Sequence, residues 1–363
     1  MFQLKKQLNK LYSVSVIGNL SITGAWVAIL AARGFSLVDI GLAETAYHIA
    51  SLMLELPSGV MADVLGRKKM LVLSTLIRIL ADLTMILSGS LFTVCLAIGL
   101  HAAADSFASG SGDALAYDSM KSVGQEEKYD RYESAQLIIY RLCGGLSTLC
   151  AGFALIIGYR IAYATGIATS LIQFAILMTL KEIRVDTAEK KPDSLPKAIA
   201  DCFRDSLNFM RQEKKAYQLM LSNALIGATD ILLVFFLQAR LTEAGIRNEL
   251  LGPALFLMQL GGIIGSKGIL KLKKLPYRTV FMIAAAGVLC GVLLEHTGIV
   301  LLMTAGGFIA ALVDDALQVR TNTRLQDMFP SDRRATLISM DCFTFSTVMI
   351  VLSPLAGWFF SVW

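Results

Sequence analysis

Ionisable residues recur inside long apolar runs, and their spacing is the first clue to chemistry. Glu44 and His48 stand four residues apart in one run, with Glu55 and Gly59 further along the same helix face. Arg78 and Asp82 are four apart in the next run, and His101 and Asp105 four apart in the one after it. Asp230, the neighbours Asp314 and Asp315, and Asp341 follow later. A spacing of four brings two side chains together on a helix. Arg78 is therefore expected to pair with Asp82, and each histidine with the carboxylate four residues away. At membrane depth such groups are costly and face a cavity, a partner or an ion path. Carrying a proton and recognising a polar solute are the chemistries they suit. Asp230 has no Lys or Arg within a turn of it. It is expected either to carry protons or to bond a neighbouring helix. Asp314 and Asp315 are expected either to line the same path or to pair with Arg320 or Arg324.

No other chemistry fits. His48, His101 and His296 form no H-E-x-x-H and no spaced metal set, so neither metal nor cofactor nor enzyme activity is expected. The six cysteines include no C-x-x-C. The chain is 55% hydrophobic and only 17% charged, with a mean hydropathy of +0.62. Soluble domains are about 25% charged. A membrane protein follows, with the lipid bilayer as its surroundings and no nucleic-acid partner.

A bilayer asks for about 20 apolar residues per helix, and about eleven segments meet that. They run approximately over 11–32, 37–60, 70–90, 91–116, 135–158, 160–180, 216–239, 250–270, 278–296, 298–318 and 335–361. Residues 1–184 are expected to form a six-helix bundle and 216–363 a bundle of about five helices. Between them, 185–215 reads as a linker ending in an amphipathic surface helix. In the second half, Gly261, Gly262 and Gly265 suit close helix contact. Lys and Arg crowd alternate loops, from Lys5, Lys6 and Lys10 onward, which places the N-terminus in the cytoplasm.

Residues 59–69 read G-V-M-A-D-V-L-G-R-K-K between two apolar runs. They are expected to form a tight turn. Gly59 would allow helices to approach, and Gly66 would supply the permissive backbone. Asp63 would accept bonds from a helix N-terminus or from Arg67, and Arg67 and Lys68 would mark the cytoplasmic side. This spacing resembles the signature loop of the major facilitator superfamily. Glu55 to Gly59, Ser109-Gly110 and Tyr117-Asp118-Ser119 resemble one bacterial branch of it, mostly efflux proteins or uncharacterised transporters. The arginine of the antiporter branches is absent from the fourth segment, and their Gly-Pro pair from the fifth. A twelfth helix is not found.

The resemblance implies an all-α, two-bundle fold. It implies a monomeric secondary transporter in the cell membrane, moving a small organic or amphipathic solute by alternating access, with efflux as the direction; coupling to protons is expected from the carboxylates inside the apolar runs. Gly59, Asp63, Gly66, Arg67 and Lys68 would form the gate. Asp230, His101, Asp105, Glu44, His48 and Asp314 would bind substrate or protons. The alternative is a non-transporting sensor or assembly scaffold on the same fold.

The loop charges make a topology prediction. A reporter active only in the cytoplasm should work when fused ahead of Met1 and fail when fused after Trp363; activity at the second site would overturn the eleven-span count.

Overall fold

The computed structural model describes residues 3–183, 212–272, 274–328 and 334–362, together with Lys197 and Arg204. The helices are α1 (Leu4–Asn19), α2 (Trp26–Ala32), α3 (Leu37–Leu65), α4 (Arg67–Leu87), α5 (Leu91–Ala108), α6 (Ser111–Lys121) and α7 (Tyr129–Leu149). They continue with α8 (Phe153–Ile157), α9 (Tyr159–Met178), α10 (Lys214–Glu243), α11 (Asn248–Gly268), α12 (Tyr277–Glu295), α13 (Val300–Met328) and α14 (Arg334–Val362). Among the described residues, nine helical stretches are long and apolar enough to cross a membrane. The linker and amphipathic helix expected over 185–215 fall almost wholly outside the described residues.

Three expected spans are not single helices. The first stops at Asn19 and resumes at Trp26, the fourth is divided between α5 and α6, and the fifth is split into α7 and the five-residue α8. The break after α1 is chemically closed. The Ser21 amide donates to Ser147 Oγ at 2.9 Å, and Ser147 Oγ donates to the Asn19 carbonyl at 3.0 Å. Non-helical backbone at membrane depth persists where neighbouring groups bind it.

The chain forms two compact units. The first comprises Met1–Thr23, Ala46–Ser147 and Gly158–Asp205; the second comprises Gly24–Thr45, Thr148–Ile157 and Ser206–Trp363. In the first, α1, α4, α6, α7 and α9 bury Leu11, Leu71, Leu115, Met120, Tyr132 and Leu177 against one another. Between α5 and α6 the chain turns at Gly110, whose φ of +66° suits glycine.

Glycine governs the second unit. A Cβ on Gly265 would lie 1.8 Å from the Leu312 carbonyl, and one on Gly261 2.2 Å from that of Phe308. α11 and α13 therefore touch backbone to backbone, as small residues permit. Gly41 against Ser353 and Gly252 against Leu149 make the same kind of contact, with a Cβ 2.4 Å and 2.1 Å from a carbonyl oxygen. These contacts tie Gly24–Thr45 and Thr148–Ile157, which sequence order would give to the first bundle, into the second unit.

Gly265→Leu should destabilise the protein by at least about 1–3 kcal/mol, the usual effect of overpacking. Gly268→Leu, three residues on in open space, should stay within about 0.5 kcal/mol, like other surface changes. Thermal unfolding in detergent distinguishes the two; equal effects would sink the account of the seam.

Candidate functional site

The stretch 59–69, expected as a tight turn, is mostly helix. α3 runs through Pro57 to Leu65, and only Gly66 interrupts it before α4 begins. Its φ of +107° is a conformation that other residues avoid. Gly59 is not at a crowded crossing: a Cβ there meets nothing within 4 Å among the described residues. The Asp63 side chain lies outside the described residues. Arg67 pairs with Asp118 on α6, Nε to Oδ2 at 3.1 Å. The start of α4 is capped from far along the chain. The Arg67 and Lys68 amides each donate to Glu182, one to each carboxylate oxygen, both at 3.0 Å. A carboxylate suits the exposed amides and positive dipole of a helix N-terminus. Lys68 Nζ donates to the carbonyls of Met178 and Leu180 at 2.9 and 2.7 Å.

The charged pairs are exchanged relative to the expectation. Arg78 Nη2 meets Asp105 Oδ1 at 2.5 Å, and His101 Nε2 meets Asp82 Oδ1 at 3.1 Å. Neither pair lies along one helix; both cross from α4 to α5. The helices run antiparallel around a short turn, so four residues up one corresponds to four residues down the other. Asp105 also accepts from Tyr47 Oη at 2.9 Å. Gly166 on α9 makes room for Asp82, since a Cβ there would lie 2.6 Å from Oδ2. Arg78 and Asp105 open into a cavity of about 400 Å³ within the first unit, lined also by Asn19, Asp113, Gln136, Tyr140 and Gln173.

Glu44 and His48 are both buried on α3. Glu55 accepts from Ser109 Oγ at 3.2 Å. In the second unit, α10 presents Asn223, Gly227 and Asp230 on one face. Asp314 of α13 approaches it there: a Cβ on Gly227 would lie 3.4 Å from Asp314 Oδ1. Asp230 and Asp314 are each only 7% exposed. One side-chain oxygen on each of Asn223, Asp230 and Asp314 is sealed from solvent and accepts no hydrogen bond among the described residues. The basic partners offered by the sequence are turned elsewhere. Arg320 donates to the Leu272 carbonyl at 2.6 Å, and Arg324 sits over the Tyr277 ring at 5.2 Å.

Sequence reasoning missed Glu182, Tyr47 and Asn223, and it singled out Asp118 only as part of a family motif, without its partner Arg67. Asp118 and Glu182 had a readable signal, being acids just beyond apolar runs on the side rich in Lys and Arg.

The profile described as Major Facilitator Superfamily matches residues 11–354. An uncharacterized MFS-type transporter of Bacillus subtilis (strain 168), YxaM, is 22% identical over 342 residues, 91% of this chain and 83% of the relative. The fold resembles the nucleoside transporter NupG, with a TM-score of 0.72 at 16% identity over 99% of this chain and 92% of NupG. It also resembles a D-xylose-proton symporter, with a TM-score of 0.65 at 10% identity over 97% of this chain and 88% of the symporter.

Charge exchange tests the crossed pairs. Arg78→Asp should lower the unfolding temperature by several degrees, and adding Asp105→Arg should restore most of that loss, whereas adding Asp82→Arg should not. Rescue by Asp82→Arg alone would return the pair to a single helix.

Proposed function

Because the chain belongs to the major facilitator superfamily, we propose that it is a proton-coupled secondary transporter of the cell membrane, moving a small organic or amphipathic solute by alternating access. The observation that carries the coupling is the facing of Asp230 and Asp314 across Gly227. Both are buried, and both hold an oxygen that no group among the described residues satisfies. A buried polar atom without a partner is costly. A helix-bonding role alone gives that oxygen no use, whereas a group that takes up and releases a proton has a use for it. Ionisable residues at membrane depth mark ion and proton paths by default.

The solute is read as polar at one end from the cavity of the first unit, where Arg78, Asp105, Gln136 and Gln173 offer both charges and amides. Efflux is carried over from the resemblance to efflux proteins. The symporter that shares the fold couples its solute to protons by its name. The turn at Gly66, with Arg67 on Asp118 and Glu182 on the head of α4, would serve as the cytoplasmic gate. Glu44 and His48, both buried on α3, are each proposed as further candidates to bind substrate or protons.

Asp230→Asn keeps shape and hydrogen bonding but removes titration. In proteoliposomes under an imposed pH gradient, solute accumulation by this variant should fall by about tenfold or more, with solute binding retained. Accumulation that keeps its dependence on the gradient would make Asp230 structural.

A further inference from the structure

Along the first unit, α1 and the start of α7 leave a groove that the transport reading does not use. Three adjoining cavities of about 630, 350 and 530 Å³ follow it, sharing lining residues from one to the next. Its cations are Lys5, Lys128 and Arg131, all exposed along it. Lys6 and Lys10 extend the same wall. Apolar side chains stand beside them: Leu8, Tyr12 and Ile138 line the same cavity as Lys128 and Arg131, and Ile138 is 56% exposed. The floor is closed by Tyr12 against Tyr132, ring centroids 5.0 Å apart.

The charge distribution is one-sided. Glu126, Glu127, Asp130 and Glu133 lie on the same stretch of chain, yet no acid lines any of the three cavities. Among the described residues, Lys5, Lys128 and Arg131 form no ion pair; Lys128 Nζ is held only by Gln125 Oε1 at 3.0 Å. A cluster of cations that opens onto an apolar trough at a helix end asks for a ligand of matching build. That ligand has a negative head and a hydrocarbon tail.

We propose that this groove binds an anionic phospholipid from the leaflet that these helix ends meet. Its phosphate lies between Lys128, Arg131 and Lys5, and an acyl chain runs along Leu8, Tyr12 and Ile138. Basic pockets between membrane helices hold such head groups, and each Lys or Arg adds to the attraction. Hydrogen bonds from Arg and Lys to phosphate are charge-assisted. A free phosphate would use the cations and leave the trough empty.

The test uses the full chain, purified in detergent and stripped of lipid. Phosphatidylglycerol and phosphatidylcholine of identical acyl chains are offered together, and retained lipid is counted by native mass spectrometry. Wild type should prefer phosphatidylglycerol, and Lys5→Gln with Lys128→Gln and Arg131→Gln should cut that preference by about tenfold or more. Inorganic phosphate should fail to displace the lipid. A second readout does not depend on that variant. A Trp placed by Ile138→Trp should be quenched by brominated phosphatidylglycerol more than by brominated phosphatidylcholine, and high salt should remove the difference. Equal retention of the two lipids, an unchanged preference in the triple variant, displacement by phosphate, or equal quenching would each overturn the proposal.

Discussion

Charge held at membrane depth needs a partner close by, because water and salt are not there to screen it. In the first unit this constraint sets the register of α4 and α5. Arg78 meets Asp105 while Asp82 meets His101, and sliding either helix by one turn would break both pairs at once. α9 is drawn into the same arrangement through Gly166, since any side chain there would collide with the Asp82 carboxylate. The second unit answers the constraint differently. Its α10 and α13 bring Asp230 and Asp314 onto facing surfaces with no cation paired to them among the described residues, and Arg320 and Arg324, close in sequence, are engaged with a carbonyl and a ring.

The helices and the Gly66 turn were legible, because hydropathy and glycine act locally. The partners of the charged residues were not. A spacing of four makes Arg78 and Asp82 neighbours in any isolated helix, but the same spacing on the next helix offers each a second partner. Which pair forms depends on the antiparallel register, set by the length of the turn from Ser88 to Ser90. The break after Asn19 was hidden for a similar reason. A hydropathy window averages over Ser21 and Thr23, and what makes the break tolerable is Ser147, far along the chain. Asp230 stood out in the sequence because nothing basic lay near it, and among the described residues no group bonds its buried Oδ1.

Glycine was only half readable. Gly261, Gly262 and Gly265 formed a visible cluster, and they lie against the Phe308 carbonyl, Asp315 and the Leu312 carbonyl of α13. Gly41, Gly152, Gly252 and Gly357 were scattered and carried no pattern. Each nevertheless abuts a backbone carbonyl within the second unit, on Ser353, Asn248, Leu149 and Leu37 respectively. Contacts of this kind rest on shape and dispersion, with no side chain to specify them. That is why composition alone does not announce them.

The Glu182 cap has a consequence for how the chain assembles. Gln7 exchanges hydrogen bonds with Lys181, Lys10 reaches the Thr179 carbonyl, and Glu182 seats the first amides of α4. The last residues of α9 and those just beyond it thus bind the beginning of α1 and the head of α4. During synthesis, α4 is made long before its cap. Its leading amides wait for a carboxylate 115 residues downstream. Closing so long a loop is entropically slow. The head of α4 therefore stays uncapped until Glu182 has left the ribosome, and a chain halted before Glu182 would hold α1, α4, α5, α6, α7 and α9 and still lack that closure.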